Sequence, residues 1–335
     1  MRNWDILSRY RNELMGIATL WIVLLHSTIW FSFFPAAYVK MTGYCGVDCF
    51  LLLSAMGLYF SWQKGNHNIG SFYRRRLLRI FPAYLIVLVI RFFLEQTGKR
   101  YVVLAATTLS FWLMDDLSAW FIAGITVLYL VSPLVLKVME SKQRTIGMAG
   151  FFALALLAGV LMRRTPQNLF FVRIPSFLLG FIIGKLVYEK RAVTNRTEWI
   201  LAAAFAFGMI LMVICQRGMV SAYETLDWAL RWYSVLLFEV PLLVYLAREF
   251  HWLKEHGHTL LNRELASIGS ISLEIYLLFE VLLRFFRETW LARLPFEYRG
   301  WVYSLIILAM TIAIGTLVHK ASSLVISVLS RTNNN

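Results

Sequence analysis

Charge is scarce in this chain. Only 16% of its 335 residues are Asp, Glu, Lys or Arg, 59% are hydrophobic, and mean hydropathy is +0.64. Soluble domains run nearer ~25% charged and ~45–50% apolar, so a water-soluble globule is excluded. No long polar stretch marks a second domain, no internal repeat is visible, and low complexity is confined to the Thr-Asn-Asn-Asn end. Cysteine is nearly absent, limited to Cys45, Cys49 and Cys215. The first two stand four apart in an apolar run, with no second pair and no His at zinc spacing, which favours small buried residues over a metal site. Acidic residues number 19 against 33 basic ones, a formal net charge of +14. The basic residues sit in short clusters between apolar runs and form no single face. That is the positive-inside pattern of a membrane protein and argues against nucleic acid as a partner.

What the chain does have is long apolar runs. A spanning helix needs about 20 such residues for about 30 Å of hydrocarbon. Runs of that kind lie at 14–34, 43–62, 76–95, 118–139, 146–162, 170–188, 197–215, 226–247, 267–289 and 300–318. The first is too long for the apolar core of a cleavable signal and reads as a retained anchor. Tyr101 to Leu113 is shorter and reads as a re-entrant or interfacial piece. With that segment left out, twenty lysines and arginines fall on the side of the N-terminus and nine on the other. This bias puts both termini in the cytoplasm. The expectation is an all-α polytopic protein of about ten spanning helices, one transmembrane unit over 1–330 with a polar tail at 331–335. Gly180 and Gly184 form a small-x-x-x-small pair, a helix-packing signal.

Ionisable groups inside a bilayer are expensive, so each needs a reason. His26 lies about 12 residues, or roughly 18 Å, along the first run. Asp48 enters from the outer end of the second, about 8 Å deep by the same rise. If the two helices pack together, a carboxylate beside an imidazole makes a general base. The alternative is a His satisfied by a backbone carbonyl and an Asp near the outer interface; spacing leaves both open. Arg74, Arg75, Arg76 and Arg79 cluster at the expected cytoplasmic start of the third run, with Arg76/Arg79 and Arg75/Arg79 sharing helix faces. Their forked donors suit phosphate oxygens, and equally the anionic heads of membrane lipids. Glu239, Glu274, Glu280 and Arg284 are further intramembrane charges. Glu280 and Arg284 are four apart and suited to pair, while Glu239 has no partner in its own helix.

Several segments, in order, resemble acyltransferase family 3, membrane proteins that include bacterial O-acetyltransferases of surface polysaccharides. Glu13-Leu14-Met15-Gly16-Ile17-Ala18 through His26 is similar to the family's first span. Gly46-Val47-Asp48-Cys49-Phe50 through Ser54 is similar to its second. Arg76-Leu77-Leu78-Arg79-Ile80-Phe81-Pro82 resembles its Arg-x-x-Arg motif and proline. Trp120-Phe121-Ile122 with Tyr129 and Pro133, Arg173 through Gly180, and Ser272-Leu273-Glu274-Ile275-Tyr276-Leu277 resemble later landmarks. Three positions depart from the pattern: Met15 where the family has Arg or Lys, Ala55 where it often has Gly, and Phe279 at the place of a common late His. Arg9 or Arg11 could substitute for the first, one turn or more earlier.

The resemblance implies an integral membrane O-acyltransferase of the bacterial inner membrane. It would move an acyl group, most simply acetyl, from cytoplasmic acyl-CoA (acetyl-CoA) to a hydroxyl of a carbohydrate or related envelope acceptor, with no metal. By this reading Arg75, Arg76 and Arg79 hold the CoA phosphates, and His26, oriented by Asp48, is the base or a transient acyl carrier. Ser54, Trp120, Arg173, Glu239 and Glu274 are expected along the substrate path. Membrane lipids are the remaining partners, and a homo-oligomer is compatible with the sequence. The rival readings are a polysaccharide or lipid-intermediate transporter or flippase, and an inactive envelope scaffold. The lack of inverted-repeat symmetry counts against transport.

Overall fold

The computed structural model describes residues 3–65, 67–289, 295 and 300–331. Among them no strand occurs beyond one isolated bridge, Asn3 to Ala192. α1 (Ile6–Arg9) and α2 (Arg11–His26) open the chain, followed by α3 (Phe34–Met41), α4 (Cys45–Lys64) and α5 (Ile69–Glu95). Two short helices, α6 (Lys99–Ala106) and α7 (Ser110–Met114), lead to α8 (Trp120–Glu140) and α9 (Arg144–Leu161). Next come α10 (Asn168–Phe171), α11 (Ile174–Tyr188), α12 (Asn195–Gln216), α13 (Glu224–Tyr233) and α14 (Val235–Glu255). α15 (Thr259–Ser270), α16 (Ser272–Thr289) and α17 (Trp301–Arg331) complete it.

Eight of the described segments are long and apolar enough to cross a membrane, and α15 with α16 makes a ninth if that pair, bent by 73°, is one span. The first expected run behaves differently. α2 stops at His26, Ser27 turns extended (ψ 157°), and helix resumes only at Phe34, so 14–34 is not one helix. At 16 residues α2 is about 24 Å long, short of the ~30 Å core. Hydropathy alone cannot see this break, because the Ile29–Phe34 stretch is as apolar as the helix before it. The Tyr101–Leu113 piece falls in two helices of eight and five residues (α6 and α7), separated by Thr107, Thr108 and Leu109 and too short to span. Of the tail expected at 331–335, Arg331 is the last residue of α17 and 332–335 lie outside the described residues.

The centre of the bundle is α4. Its spanning window is 78% buried, against 28% for α5, 22% for α12 and 17% for α9, which form the rim. A helix that is apolar all round has no solvent face to spend and ends up enclosed. α11 packs flush on it because Gly180 faces the Leu52 carbonyl and Ala55, and Gly184 lies 3.1 Å from the Met56 Cα and 3.0 Å from the Tyr59 Cβ, measured from where a β-carbon would stand. The small-x-x-x-small pair is thus a packing surface. Gly16 and Gly269 do the same for α2 and α15, meeting the backbones of Leu265 and Asn12. That contact seats the α15–α16 bend, and with it Ser272, beside the start of α2.

Candidate functional site

Asn68 caps α5 by accepting from the Ser71 N–H at 2.9 Å. The helix therefore begins at Ile69, earlier than the expected 76, and Arg74–Arg79 occupy its second and third turns. Arg76 donates to the Gly57 carbonyl at 3.1 Å, and Arg11 of α2 donates to the Leu53 carbonyl at 3.3 Å, so both lean on α4. Two neighbouring spaces result, with Arg76, Arg79, Ser272 and Leu273 in the walls of both. The outer one is a mouth of about 670 Å³, with Arg74, Arg75, Arg76 and Arg79 on one wall and Ser272, Glu274 and His319 on the other. The second is a throat of about 60 Å³ lined by Arg11, Met15, Ser54, Arg76, Arg79, Tyr129 and Tyr276. The throat holds room for a few waters.

None of Arg11, Arg74, Arg75, Arg76 or Arg79 forms an ion pair among the described residues. Five guanidinium groups without acidic partners, three of them converging on one narrow space, constitute an anion site. Met15, the position lacking the expected cation, does line the throat, and Arg11 reaches the same space from one turn earlier.

Four other expected residues gather elsewhere. The Arg173 Nε lies 4.0 Å from an Asp48 carboxylate oxygen, and its guanidinium is sandwiched 4.7 Å from the Trp120 ring and 4.9 Å from the Trp232 ring. Its Nη1 donates to the Leu169 carbonyl at 2.7 Å. Glu239 is fully buried, and both of its oxygens lack a hydrogen-bond partner, as does one oxygen of Asp48. Ser176 faces both carboxylates. Asp48 is paired with Arg173 while Glu239 beside it has no cation among the described residues, so this cluster joins α4, α8, α11 and α14 at a high desolvation cost. The four residues stand far apart in sequence, and no periodicity links them.

His26 is not among them. It is exposed at the C-terminal end of α2 and makes no hydrogen bond or ion pair among the described residues. A β-carbon at Gly46 would stand 2.7 Å from the Ala18 carbonyl, which sets Asp48 about two turns deeper than His26. The expected His26–Asp48 pair is therefore absent: the run to Phe34 was counted as helix, whereas the helix ends at the histidine itself. Eleven residues separate Met15 from His26, about three turns, so His26 continues the face that lines the throat, roughly 16 Å further on. Val23 on that face packs among Ile275, Leu278 and Phe279 of α16.

An imidazole–carboxylate pair exists at the other end. Glu274, 5% exposed, accepts from the His319 Nδ1 at 2.8 Å inside the arginine-lined mouth. His319 escapes a reading by hydropathy because the last apolar run ends at 318, whereas α17 continues to Arg331. A helical continuation past 318 would place it four residues beyond Gly315 on the face that meets Glu274.

At the far ends of the helices, Glu280 and Arg284 pair at 2.9 Å as their spacing suggests, and Arg91 binds Glu95 at 2.6 Å. Asp116, in the loop before α8, accepts from Tyr101 at 2.7 Å and Ser110 at 3.0 Å. Burial pushes the Asp116 carboxyl up, but its hydrogen bonds from Ser118 and Tyr101 and the charge of Arg91 outweigh that and hold it below the usual carboxylate value. Burial, with the bond to Asp116, pushes the Tyr101 phenol up to about 12. Among the described residues no three His, Cys, Asp or Glu groups converge as metal ligands.

A family model described as an acyltransferase domain matches residues 14–320, nearly the whole chain. No curated protein and no solved structure matches it.

Proposed function

Given that the chain belongs to acyltransferase family 3, we propose that this multi-pass membrane acyltransferase takes its acyl group from acyl-CoA at the arginine-lined mouth and delivers it to a hydroxyl of an envelope carbohydrate. The observation that carries this reading is the convergence of Arg11, Arg76 and Arg79 on a throat that shares Arg76 and Arg79 with the mouth, with no carboxylate paired to any of them among the described residues. CoA bears a diphosphate and a phosphomonoester, and guanidinium forks without acidic partners are the groups to hold them. Arg11 replaces the cation missing at Met15. Ser54 and Tyr129 border the space through which the thioester arm passes, and the aromatic walls at Phe121 and Tyr276 shift to admit it.

In this scheme His26 accepts the proton of the acceptor hydroxyl as its oxygen attacks the thioester carbonyl. The C–S bond then breaks, and the CoA thiolate leaves and takes up a proton. His26 is exposed at the end of α2 opposite the arginines, where an acceptor outside the cytoplasm meets it. Asp48 acts at a distance from the imidazole: bound to Arg173, it holds the α4–α11 core that supports the throat. Trp120 and Glu239 belong to the same support. The compartment that fits is the bacterial inner membrane, with acetyl-CoA as the simplest donor.

The deciding experiment is acyl transfer from labelled acetyl-CoA to a membrane glycan extract by the purified protein, run beside acetyl-CoA binding. Binding and transfer that both fail in Arg76→Ala/Arg79→Ala support the reading. Undiminished transfer in that double variant refutes it.

A further inference from the structure

The mouth contains four arginines and one carboxylate, and the carboxylate is not bound to an arginine. Glu274 lies on α16 and lines the same cavity as Arg74, Arg75, Arg76 and Arg79 of α5. An almost fully buried carboxylate facing unpaired guanidinium groups in a partly desolvated space is drawn to them strongly, since attraction between unit charges grows as the local dielectric falls. It is instead held by the His319 Nδ1 at 2.8 Å, and no other hydrogen bond to Glu274 is present among the described residues. A carboxylate only accepts, so Nδ1 carries the proton of that bond. The grip is built into the fold: Gly315 of α17 packs against Glu274, its absent β-carbon 3.6 Å from the glutamate Cβ, and His319 follows one helical turn later. The His319 ring is half exposed while Glu274 is buried, so the histidine covers the carboxylate on the cavity side.

We propose that His319 is a positioning residue that keeps Glu274 off the arginines and so preserves a polyanion site for the phosphates of the donor. The inference rests on the donor reading above for the identity of the ligand, but not for the charge arrangement. With His319 gone, Glu274 turns across the cavity to Arg76 or Arg79, and an incoming phosphate must compete with it. The partners stand 45 residues apart on the two last helices: Glu274 belongs to a motif read from the sequence, whereas His319 lies outside every one of them.

The test is a double-mutant cycle on the full-length protein in phosphatidylcholine nanodiscs, titrated with CoA and, separately, with inorganic pyrophosphate. His319→Ala should weaken both ligands by roughly tenfold, the scale of one unit charge about 4 Å from another in a largely water-filled space with an effective dielectric of about 60. Glu274→Gln alone should bind as wild type or more tightly. The double variant His319→Ala/Glu274→Gln should recover the affinity of Glu274→Gln, because the competing charge is gone. His319→Asn, whose amide still donates to Glu274, should stay near wild type and covers the case in which His319→Ala does not fold. A double variant as weak as His319→Ala overturns the proposal, since that pattern means direct contact or lost packing; so does unchanged affinity in His319→Ala. If pyrophosphate shows the rescue while wild type binds no CoA, the donor reading falls and the charge guard stands. If wild type binds neither, both fall. Loss of CoA binding when the discs are made of phosphatidylglycerol would give the cavity to lipid phosphate and likewise remove the donor reading.

Discussion

Replacing Arg79 by alanine isolates the charge–phosphate interaction from everything else arginine does. Arg79 lines both mouth and throat and makes no hydrogen bond or ion pair among the described residues. Its removal therefore breaks no hydrogen bond or ion pair among the described residues. A hydrogen bond to a charged group contributes about 1.5–3 kcal/mol. Because the Arg79 side chain is exposed to the cavity, the lower end applies: about 1.5 kcal/mol, or a bit over tenfold in Kd. Arg76 is the contrast. It holds the Gly57 carbonyl at 3.1 Å, so Arg76→Ala should weaken the donor by a similar factor and also lower the unfolding temperature by the loss of about 1 kcal/mol. The assay is CoA titration in nanodiscs beside a thermal melt of each variant without ligand. Equal CoA affinity in wild type and Arg79→Ala refutes the reasoning. Weaker binding with an equal fall in melting temperature in Arg79→Ala refutes it as well, because the loss would then be structural.

The remaining predictions address the base, the core and the far loop. His26→Ala should cut transfer by at least ~10²-fold with CoA affinity kept, since an exposed imidazole at the far end of α2 contributes to proton transfer and not to nucleotide binding; turnover and CoA titration measured on one preparation check it, and full activity would remove His26 from the mechanism. Gly180→Leu should prevent correct folding, because its side chain would enter the space of the Leu52 carbonyl and Ala55; a monodisperse, thermostable variant by size-exclusion chromatography would contradict the packing. Asp116 has a folded pKa below its ordinary value, so its stabilising contribution is present above the unfolded pKa near ~3.9 and lost as pH falls through the folded one. Wild type should therefore lose more stability than Asp116→Asn between pH 5 and pH 3, as read by melts in detergent; parallel curves would show that the network around Tyr101 contributes nothing to acid sensitivity.

The helical membrane character and the arginine cluster were legible in the chain because each depends on local composition. Apolar runs such as 197–215 must be helical in hydrocarbon, where every backbone group needs an internal partner, and Asn195–Gln216 is indeed one helix. Gly180 and Gly184 could be assigned to packing for the same local reason. Arg75, Arg76 and Arg79 could be read as one face because helical spacing alone puts them together. The end of α2 was less legible: Ser27 leaves the helix within an apolar stretch, and hydropathy carries no signal for that change of backbone direction.

The partners of the buried charges belong to tertiary structure alone. Asp48 faces Arg173 and not His26, and Glu274 faces His319, because helices distant in the chain are adjacent in the bundle. Which carboxylate meets which cation follows from the depth at which each helix is seated. That depth is set by close backbone contacts such as Gly46 on Ala18 and Gly16 on Leu265. The sequence by itself determined that the chain forms membrane-crossing helices and which of them carries a phosphate-ready row of arginines. Only the packed bundle decided that those arginines would stay unpaired, because charge pairing inside a membrane is a matter of where helix surfaces meet and not of spacing along any one of them.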